Sequence, residues 1–120
     1  MIKFYCYTKC STCKKAQKFL DEHNIVYELI DIKSYQFTSA EIKLIHQKSG
    51  KEIKRLFNTS GIKYRELNIK EKIKDLDLNN TYEILASDGM LIKRPLLVTD
   101  KSAYIGFNIA EYEDFVSRLF

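Results

Sequence analysis

Two cysteines separated by two residues, Cys10 and Cys13, are the residues of this chain best suited to chemistry. Residues three apart are neighbours on the surface of a helix, and a disulfide bond requires Cα atoms about 4.4–6.8 Å apart. The pair falls at the predicted start of a helix, so its two sulfur atoms lie within range of each other. The spacing therefore favours a reversible thiol–disulfide pair, with Ser11 and Thr12 shaping the turn between the cysteines.

The charge around this pair favours the thiolate form of Cys10. At a helix start, free N–H groups and the positive end of the helix dipole stabilise an anion. Four lysines flank the pair: Lys9, Lys14, Lys15 and Lys18. No acidic residue falls between residues 8 and 20. We therefore predict that Cys10 is the nucleophile and that Cys13, farther into the helix, is the resolving thiol.

Two other interpretations of the pair stay open, an inert pair and a structural zinc site. A zinc site usually needs a second pair of ligands, and only Cys6, His23 and His46 remain, scattered along the chain. We therefore expect no metal. Cys6 shares a predicted strand face with Ile2 and Phe4, where a buried, unreactive thiol is expected. The two histidines are expected on helix surfaces without a functional role.

The periodicity of apolar residues predicts the elements that position the pair. Residues 2–7 alternate as in a strand, a helix runs from Ser11 to His23–Asn24, and residues 26–32 form a second strand. These three elements make a β-α-β unit. A capping box formed by Thr38 and Glu41 begins another helix, which stops at Gly50.

The second half of the chain alternates short helices with a hairpin. Helical segments are predicted near residues 53–57, 69–76 and 81–86. The apolar runs 96–98 and 103–105 predict a β-hairpin, followed by a helix from Asn108 to Phe120. The order of elements is that of an α/β thioredoxin-like domain with helices inserted between the β-α-β unit and the hairpin.

Length and composition limit what the protein can be. The 120 residues have the size of one domain, residues 1–120, and a hydrophobic fraction of 45% suffices for a core without disulfides. A formal net charge of +4, with acids and bases interleaved, gives no argument for direct binding to nucleic acid or a membrane. The N-terminus lacks a signal-peptide cleavage site, and no apolar run approaches the roughly 18 residues of a membrane span. We expect a cytoplasmic protein, in a compartment where thiols are kept reduced.

Pro95 is the only proline of the chain and immediately precedes the first strand of the hairpin. Proline makes a cis peptide bond accessible, and it also removes a backbone donor at the start of a strand. A cis bond and a trans proline at the strand start are both consistent with the residues alone.

Two sequence runs carry a resemblance to a known family. Residues 10–16 (CSTCKKA) and 93–98 (KRPLLV) resemble the arsenate reductase/Spx family of thioredoxin-like proteins. The resemblance extends over nearly the whole chain. The stretches 57–67 and 85–95 resemble an uncharacterised, arsenate-reductase-like branch of that family. The resemblance implies a cis Pro95 facing Cys10, with the Arg94 guanidinium near the sulfur, where it binds an oxyanion or stabilises the thiolate. It also implies no bound cofactor and an external thiol reductant, namely glutaredoxin, thioredoxin or a low-molecular-weight thiol.

The chain departs from the glutathione-dependent arsenate reductases, which place three arginines around the oxyanion. Only Arg94 is kept, with Asn58 and Phe107 at the other two positions, although Arg55 or Arg65 could substitute. Because each charge-assisted hydrogen bond counts, we expect inefficient arsenate reduction. The expected function is that of a thiol–disulfide redox protein that reduces an oxyanion or a disulfide.

The Spx branch offers the alternative expectation. Its members are redox-sensing regulators that bind the RNA polymerase α subunit and are not enzymes. Gly50 resembles a glycine of that interface, and a helix C-cap explains it equally well. The sequence ends at Phe120, where we expect no counterpart of the longer, basic C-terminal extension of Spx.

Overall fold

Four short β-strands between two layers of helices position the cysteines in a computed structural model, which describes residues 1–119. The elements are β1 (Lys3–Cys6), α1 (Ser11–Glu22), β2 (Glu28–Asp31), α2 (Ser39–Ser49), α3 (Ile62–Glu66), α4 (Ile69–Lys72), α5 (Leu78–Ser87), β3 (Leu96–Val98), β4 (Ala103–Ile105) and α6 (Ile109–Leu119). Three 3₁₀ turns lie at Ile53–Leu56, Ile73–Asp75 and Gly89–Leu91. Phe120, the predicted end of the last helix, lies outside the described residues.

The sheet has the strand order β2-β1-β3-β4. Strand β1 pairs in parallel with β2 and antiparallel with β3, and β3 pairs antiparallel with β4. This combination of a β-α-β unit with a β-hairpin and a closing helix is the predicted thioredoxin-like α/β fold. Strand β2 is shorter than expected, because Val26 is 81% exposed and the pairing with β1 begins only at Glu28.

The alternation of side chains along the strands divides the core into two layers. Phe4 and Cys6 of β1 face one layer, whereas Tyr5 faces the other. The layer around α1 and α6 contains these buried residues: Phe4, Cys6, Cys13, Ala16, Leu20, Ile25, Leu97, Tyr112 and Phe115. The opposite layer is formed mainly by α2, α5 and the short helices. The predicted cysteine pair therefore belongs to the α1–α6 side of the sheet.

The predicted helix ends of α2 are confirmed. The Thr38 side chain accepts a hydrogen bond from the Glu41 N–H, and the Glu41 carboxylate accepts one from the Thr38 N–H. Gly50 ends the helix in the left-handed region, with φ at +66°. Helix α3 was not predicted, because it has no buried residue and hence no apolar periodicity.

No helix among residues 1–119 combines the length and the apolar character needed to cross a membrane.

Gly89 packs directly against the backbone that follows β2. A Cβ atom added at Gly89 would collide with the carbonyl oxygen of Ile32, which cannot rotate away. We expect Gly89→Ala to lower the free energy of unfolding by about 3 kcal/mol. Gly50→Ala is the matched control, since its Cβ would meet nothing within 4 Å, and it should cost only about 1 kcal/mol for the left-handed backbone. Urea unfolding measures both, and equal losses would contradict this close packing.

Candidate functional site

Cys10 is the N-cap residue of α1 and lies at the carboxyl end of β1. Its N–H donates to the Tyr7 carbonyl at 3.0 Å, and its Sγ accepts the N–H of Cys13 at 3.4 Å. The side chain is half-buried and lines the main cleft of the protein. An N-cap sulfur with a backbone donor is placed to carry negative charge. The first turn of α1 contains no acidic residue that would oppose this charge.

Cys13 lies beneath Cys10, on the buried side of the same helical turn. Its side chain is only 2% exposed, and its Sγ accepts the N–H of Tyr7 at 3.5 Å. A hydrogen bond from the Cys6 thiol is the largest of the effects that together lower the pKa of Cys13 to about 6. The Tyr7 N–H, Cys10 and the charge of Arg94 act in the same direction, whereas burial opposes them. The net effect favours the thiolate form of this buried thiol.

Cys6 is buried, as the strand pattern predicts, and its place in the same core layer as Cys13 was not predicted. The hydrogen bond to Cys13 and, second, burial raise the pKa of the Cys6 thiol well above its usual range. All three cysteines are free thiols. The structure thus brings together three sulfur atoms, of which Cys6 keeps its proton.

Arg94 and Pro95 lie across the cleft from the start of α1. The Arg94–Pro95 peptide is cis, as the resemblance implied. The guanidinium of Arg94 lies over the Tyr7 ring, 5.2 Å from its centroid, and its Nη1 is 3.8 Å from Met90 Sδ. Arg94 lines the same cleft as Cys10, and its charge contributes to the lowered pKa of Cys13. Pro95 is buried and its carbonyl accepts the Gly106 N–H at 2.9 Å, so it supports the wall of the site.

The cleft beside Cys10 has a volume of about 1040 Å³ and a cationic lining. Its basic residues are Lys33, Arg55, Lys63, Lys93 and Arg94, against the acidic Glu66 and Glu111. Of the two arginines considered as substitutes, Arg55 lines the cleft and Arg65 does not. Asn58 and Phe107 both line it, as does Thr12, whereas Ser11 is exposed outside it.

The lysines of this cleft were missed by sequence reasoning. Lys33, Lys63 and Lys93 come from three separate loops or helices, and no local pattern marks them as neighbours of Cys10. Lys63 also lies 3.9 Å from a carboxylate oxygen of Asp88, which partly balances its charge.

The two histidines lie away from the cleft. His23 is exposed and stacks on Phe19, with its Nδ1 2.8 Å from the Phe19 carbonyl. His46 is half-buried, with its Nδ1 2.6 Å from the hydroxyl of Tyr82, so it packs between α2 and α5. Among the described residues, no group of three His, Cys, Asp or Glu side chains could hold a metal ion.

Fold and site together define a thioredoxin-like protein with two thiols in the first turn of its first helix. Residues 5–115 match the ArsC family. The chain therefore belongs to the ArsC family.

The similar proteins include both characterised regulators and uncharacterised relatives. The chain is 45% identical over 113 residues to the uncharacterised protein YusI of Bacillus subtilis, covering 94% of this chain and 96% of YusI. It is 30% identical over 118 residues to the global transcriptional regulator Spx 2 of Bacillus cereus, covering 98% and 88% of the two chains.

Solved structures of similar sequence share the same fold. A Staphylococcus aureus protein solved by NMR is 50% identical, with a TM-score of 0.86 and coverage of 95% and 97% of the two chains. A crystal structure described as a possible arsenate reductase of Streptococcus mutans is 46% identical, with a TM-score of 0.88 and coverage of 96% and 97%. These similarities confirm the predicted family and fold.

Replacing Arg94 should change the ionisation of Cys13. The thiolate is present above a pH of about 6 and is lost as the pH falls through this value. Arg94→Gln removes the positive charge, so we expect a higher pKa for Cys13, whereas Arg94→Lys should shift it less. The ultraviolet absorbance of the thiolate, followed against pH in a Cys10→Ser background, measures this pKa. Identical titrations for both variants and the parent would contradict a role of the Arg94 charge.

Proposed function

We propose that this protein is a thiol–disulfide oxidoreductase in which Cys10 is the nucleophile and Cys13 the resolving thiol. The observation that carries the proposal is the stacking of two unlike thiols in one helical turn. Cys10 opens onto the cleft, and Cys13 lies buried beneath it with a pKa of about 6. Cys10 is accessible to a substrate, and the thiolate form of the neighbouring Cys13 is favoured. This combination suits two successive thiol–disulfide exchanges.

The reaction proceeds in two exchanges that oxidise the cysteine pair, followed by its reduction. The Cys10 thiolate attacks one sulfur of a substrate disulfide, forms a mixed disulfide and expels the other substrate sulfur as a thiolate. The Cys13 thiolate then attacks Cys10 Sγ, forms the Cys10–Cys13 disulfide and releases the second substrate thiolate. Two electrons from an external thiol reductant restore the dithiol. This reductant, a protein such as glutaredoxin or thioredoxin or a small thiol, supplies both electrons, so no bound cofactor is needed.

The cleft favours disulfides that carry negative charge. Its basic side chains outnumber its acidic ones by five to two. These cations are spread around a large open cleft, which suits an extended substrate with carboxylates better than a compact oxyanion. A single arginine beside Cys10 leaves an arsenate ion with few charge-assisted hydrogen bonds, so efficient arsenate reduction is not part of the proposal.

A second candidate function comes from the Spx relatives. In it, the cysteine pair is a redox sensor and the protein binds the RNA polymerase α subunit without turning over a substrate. The similarity to Spx 2 spans 98% of this chain, which supports this alternative. Gly50 does not discriminate, because its left-handed conformation explains the glycine and the space around it is open. Binding of purified α subunit, lost on Gly50→Arg, would favour the regulator.

Serine variants of the two cysteines test the oxidoreductase. Cys10→Ser should abolish turnover of a disulfide substrate with a dithiol reductant, because no accessible nucleophile remains. Cys13→Ser should still form the mixed disulfide on Cys10 but release its second thiol far more slowly, and mass spectrometry of the trapped adduct identifies the step. Full turnover by Cys10→Ser would contradict the mechanism.

Charge preference tests the proposed substrate class. We expect faster reduction of the anionic dithiodipropionate than of the neutral hydroxyethyl disulfide, and slowest reduction of the cationic cystamine. Each rate is divided by the rate at which a small free thiol reduces the same disulfide. This normalisation removes differences in intrinsic reactivity between the three disulfides. Replacing Lys33 and Lys93 by glutamine should reduce the preference about two- to fivefold, and added salt should do the same.

Lys70→Gln is the matched control, because Lys70 is an exposed lysine outside the cleft. It should leave the preference unchanged. A preference for cystamine, or one that Lys70→Gln alters as much, would contradict the role given to the cleft.

A further inference from the structure

We propose that Tyr7 is a positioning residue of this site, whose ring holds the Arg94 guanidinium in the cleft and so sets the positive charge that an anion meets on its way to Cys10. The inference rests on the proposed function, since it concerns how the cleft selects a substrate for the Cys10–Cys13 pair. Tyr7 itself exchanges no proton and no electron in this role.

The backbone of Tyr7 is tied to both cysteines. Its carbonyl accepts the Cys10 N–H at 3.0 Å, and its N–H donates to Cys13 Sγ at 3.5 Å. Tyr7 directly follows β1, and its half-buried side chain packs against the core layer on the side of α2 and α5. Because these hydrogen bonds involve only the main chain of Tyr7, a change of its side chain leaves their donors and acceptors in place.

The ring of Tyr7 supports the guanidinium of Arg94. The guanidinium carbon lies over the ring at 5.2 Å from its centroid, within the roughly 6 Å at which a cation is attracted to the face of an aromatic ring. Met90 is a second neighbour, with its Sδ 3.8 Å from Nη1 of Arg94, but a thioether is only a weak hydrogen-bond acceptor. Tyr7 and Arg94 are both half-buried, and partial loss of hydration strengthens the attraction between a cation and a ring. The ring is therefore the stronger of the two contacts.

Among residues 1–119, no Asp or Glu side chain forms an ion pair with Arg94 that would compete with the ring. Glu66 and Glu111 nevertheless line the same cleft. An arginine side chain without a partner samples many rotamers, and a released guanidinium would be drawn towards these carboxylates or into bulk water. In either case the cleft would lose the positive charge that Arg94 now presents.

The position of the guanidinium matters because Arg94, Tyr7 and Cys10 line one cleft. An anion that approaches Cys10 is attracted more strongly by a cation that is already held in place, since ordering a mobile side chain at the moment of binding costs conformational entropy. With the ring beneath Arg94, this ordering occurs when the protein folds. Tyr7 thereby contributes to the anion preference of the site without contacting the substrate itself.

Alkylation of Cys10 by two reagents of different charge tests this role without any turnover. Iodoacetate is an anion and iodoacetamide is neutral, and each forms a bond between its carbon and the thiolate sulfur with release of iodide. Because both reagents react with the same thiolate, the ratio of their rates does not depend on how far Cys10 is ionised. The ratio is divided by that of a small free thiol, and mass spectrometry counts only the adducts on Cys10.

We expect the parent protein to favour iodoacetate, and we expect Arg94→Gln to lower the ratio about two- to fivefold, as for the loss of one partly screened charge. Tyr7→Leu should lower the ratio nearly as far, because the guanidinium loses its support. Tyr7→Phe keeps the ring and should retain the parent ratio, a rescue that a merely structural role would not produce. The kcat/KM for dithiodipropionate, relative to that for hydroxyethyl disulfide, should rank the variants in the same order.

Two controls isolate the contact between the ring and the guanidinium. Tyr64 is another half-buried tyrosine packed on the same core layer, and it lies outside the cleft lining, so Tyr64→Leu should leave the ratio unchanged. When Tyr7→Leu is combined with Arg94→Gln, the ratio should equal that of Arg94→Gln alone, because Tyr7 acts through Arg94. Far-UV circular dichroism and urea unfolding confirm that each variant is folded, and Tyr7→Met takes the place of Tyr7→Leu if the leucine variant is not.

The outcomes separate this inference from the proposed function. The inference is overturned if Arg94→Gln or Tyr7→Leu retains the parent ratio, if Tyr7→Phe falls as low as Tyr7→Leu, or if Tyr64→Leu falls as far. A further fall in the double variant overturns it as well, since Tyr7 would then act by a route other than Arg94. If the ratios follow the expectation but the parent protein reduces no disulfide, the oxidoreductase is wrong while the positioning of Arg94 stands. If disulfides are reduced and the ratios do not differ, the oxidoreductase stands without this role of Tyr7.

Discussion

The close packing of α1 on β1 fixes the positions of the cysteines in the site. Cys13, Ala16 and Leu20 are spaced three and four residues apart, so they form one buried face of the helix. Ala16 is completely buried and has the smallest side chain of the three, which lets the helix approach Phe4 and Cys6 on the strand. Because this face is buried, Cys10, which lies one turn before Cys13, falls at the start of the helix. There it becomes the N-cap and stays open to the cleft.

This packing also decides where negative charge can reside. Two sulfur atoms buried in the same apolar layer, those of Cys6 and Cys13, do not readily ionise together, because like charges there repel and both lose hydration. The Tyr7 N–H donates to Cys13 Sγ and so favours the thiolate form of Cys13. The pKa of Cys13 is lowered, whereas that of Cys6 is raised. Both effects favour a negative charge on Cys13, the sulfur that lies next to Cys10. A thiolate in that position is protected from outside oxidants and is directed towards a disulfide on Cys10.

Local patterns were sufficient to predict the fold, and insufficient to predict the surroundings of the site. Helix α1, the Thr38 capping box and the hairpin 96–105 were all predicted, because periodicity, caps and turns are encoded within a few residues. Helix α3 was not predicted, since an exposed helix has no apolar periodicity. The burial of Cys6 and Cys13 in one core layer could have been anticipated, because they fall on the inward faces of β1 and α1. The cationic lining could not, because it depends on how distant loops meet.

The arrangement of cations explains why resemblance to arsenate reductases does not by itself define a substrate. A compact oxyanion is held by several donors that converge on one point at about 3 Å. Here the Arg94 guanidinium contacts Tyr7 and Met90, and Asn58 offers an uncharged amide. The remaining cations include Lys33 and Lys93, which are exposed and carried on flexible stems. Such charges are spread over a wide area and do not converge on one small ion, so the proposed function changes the selectivity of the cleft and not the thiol chemistry.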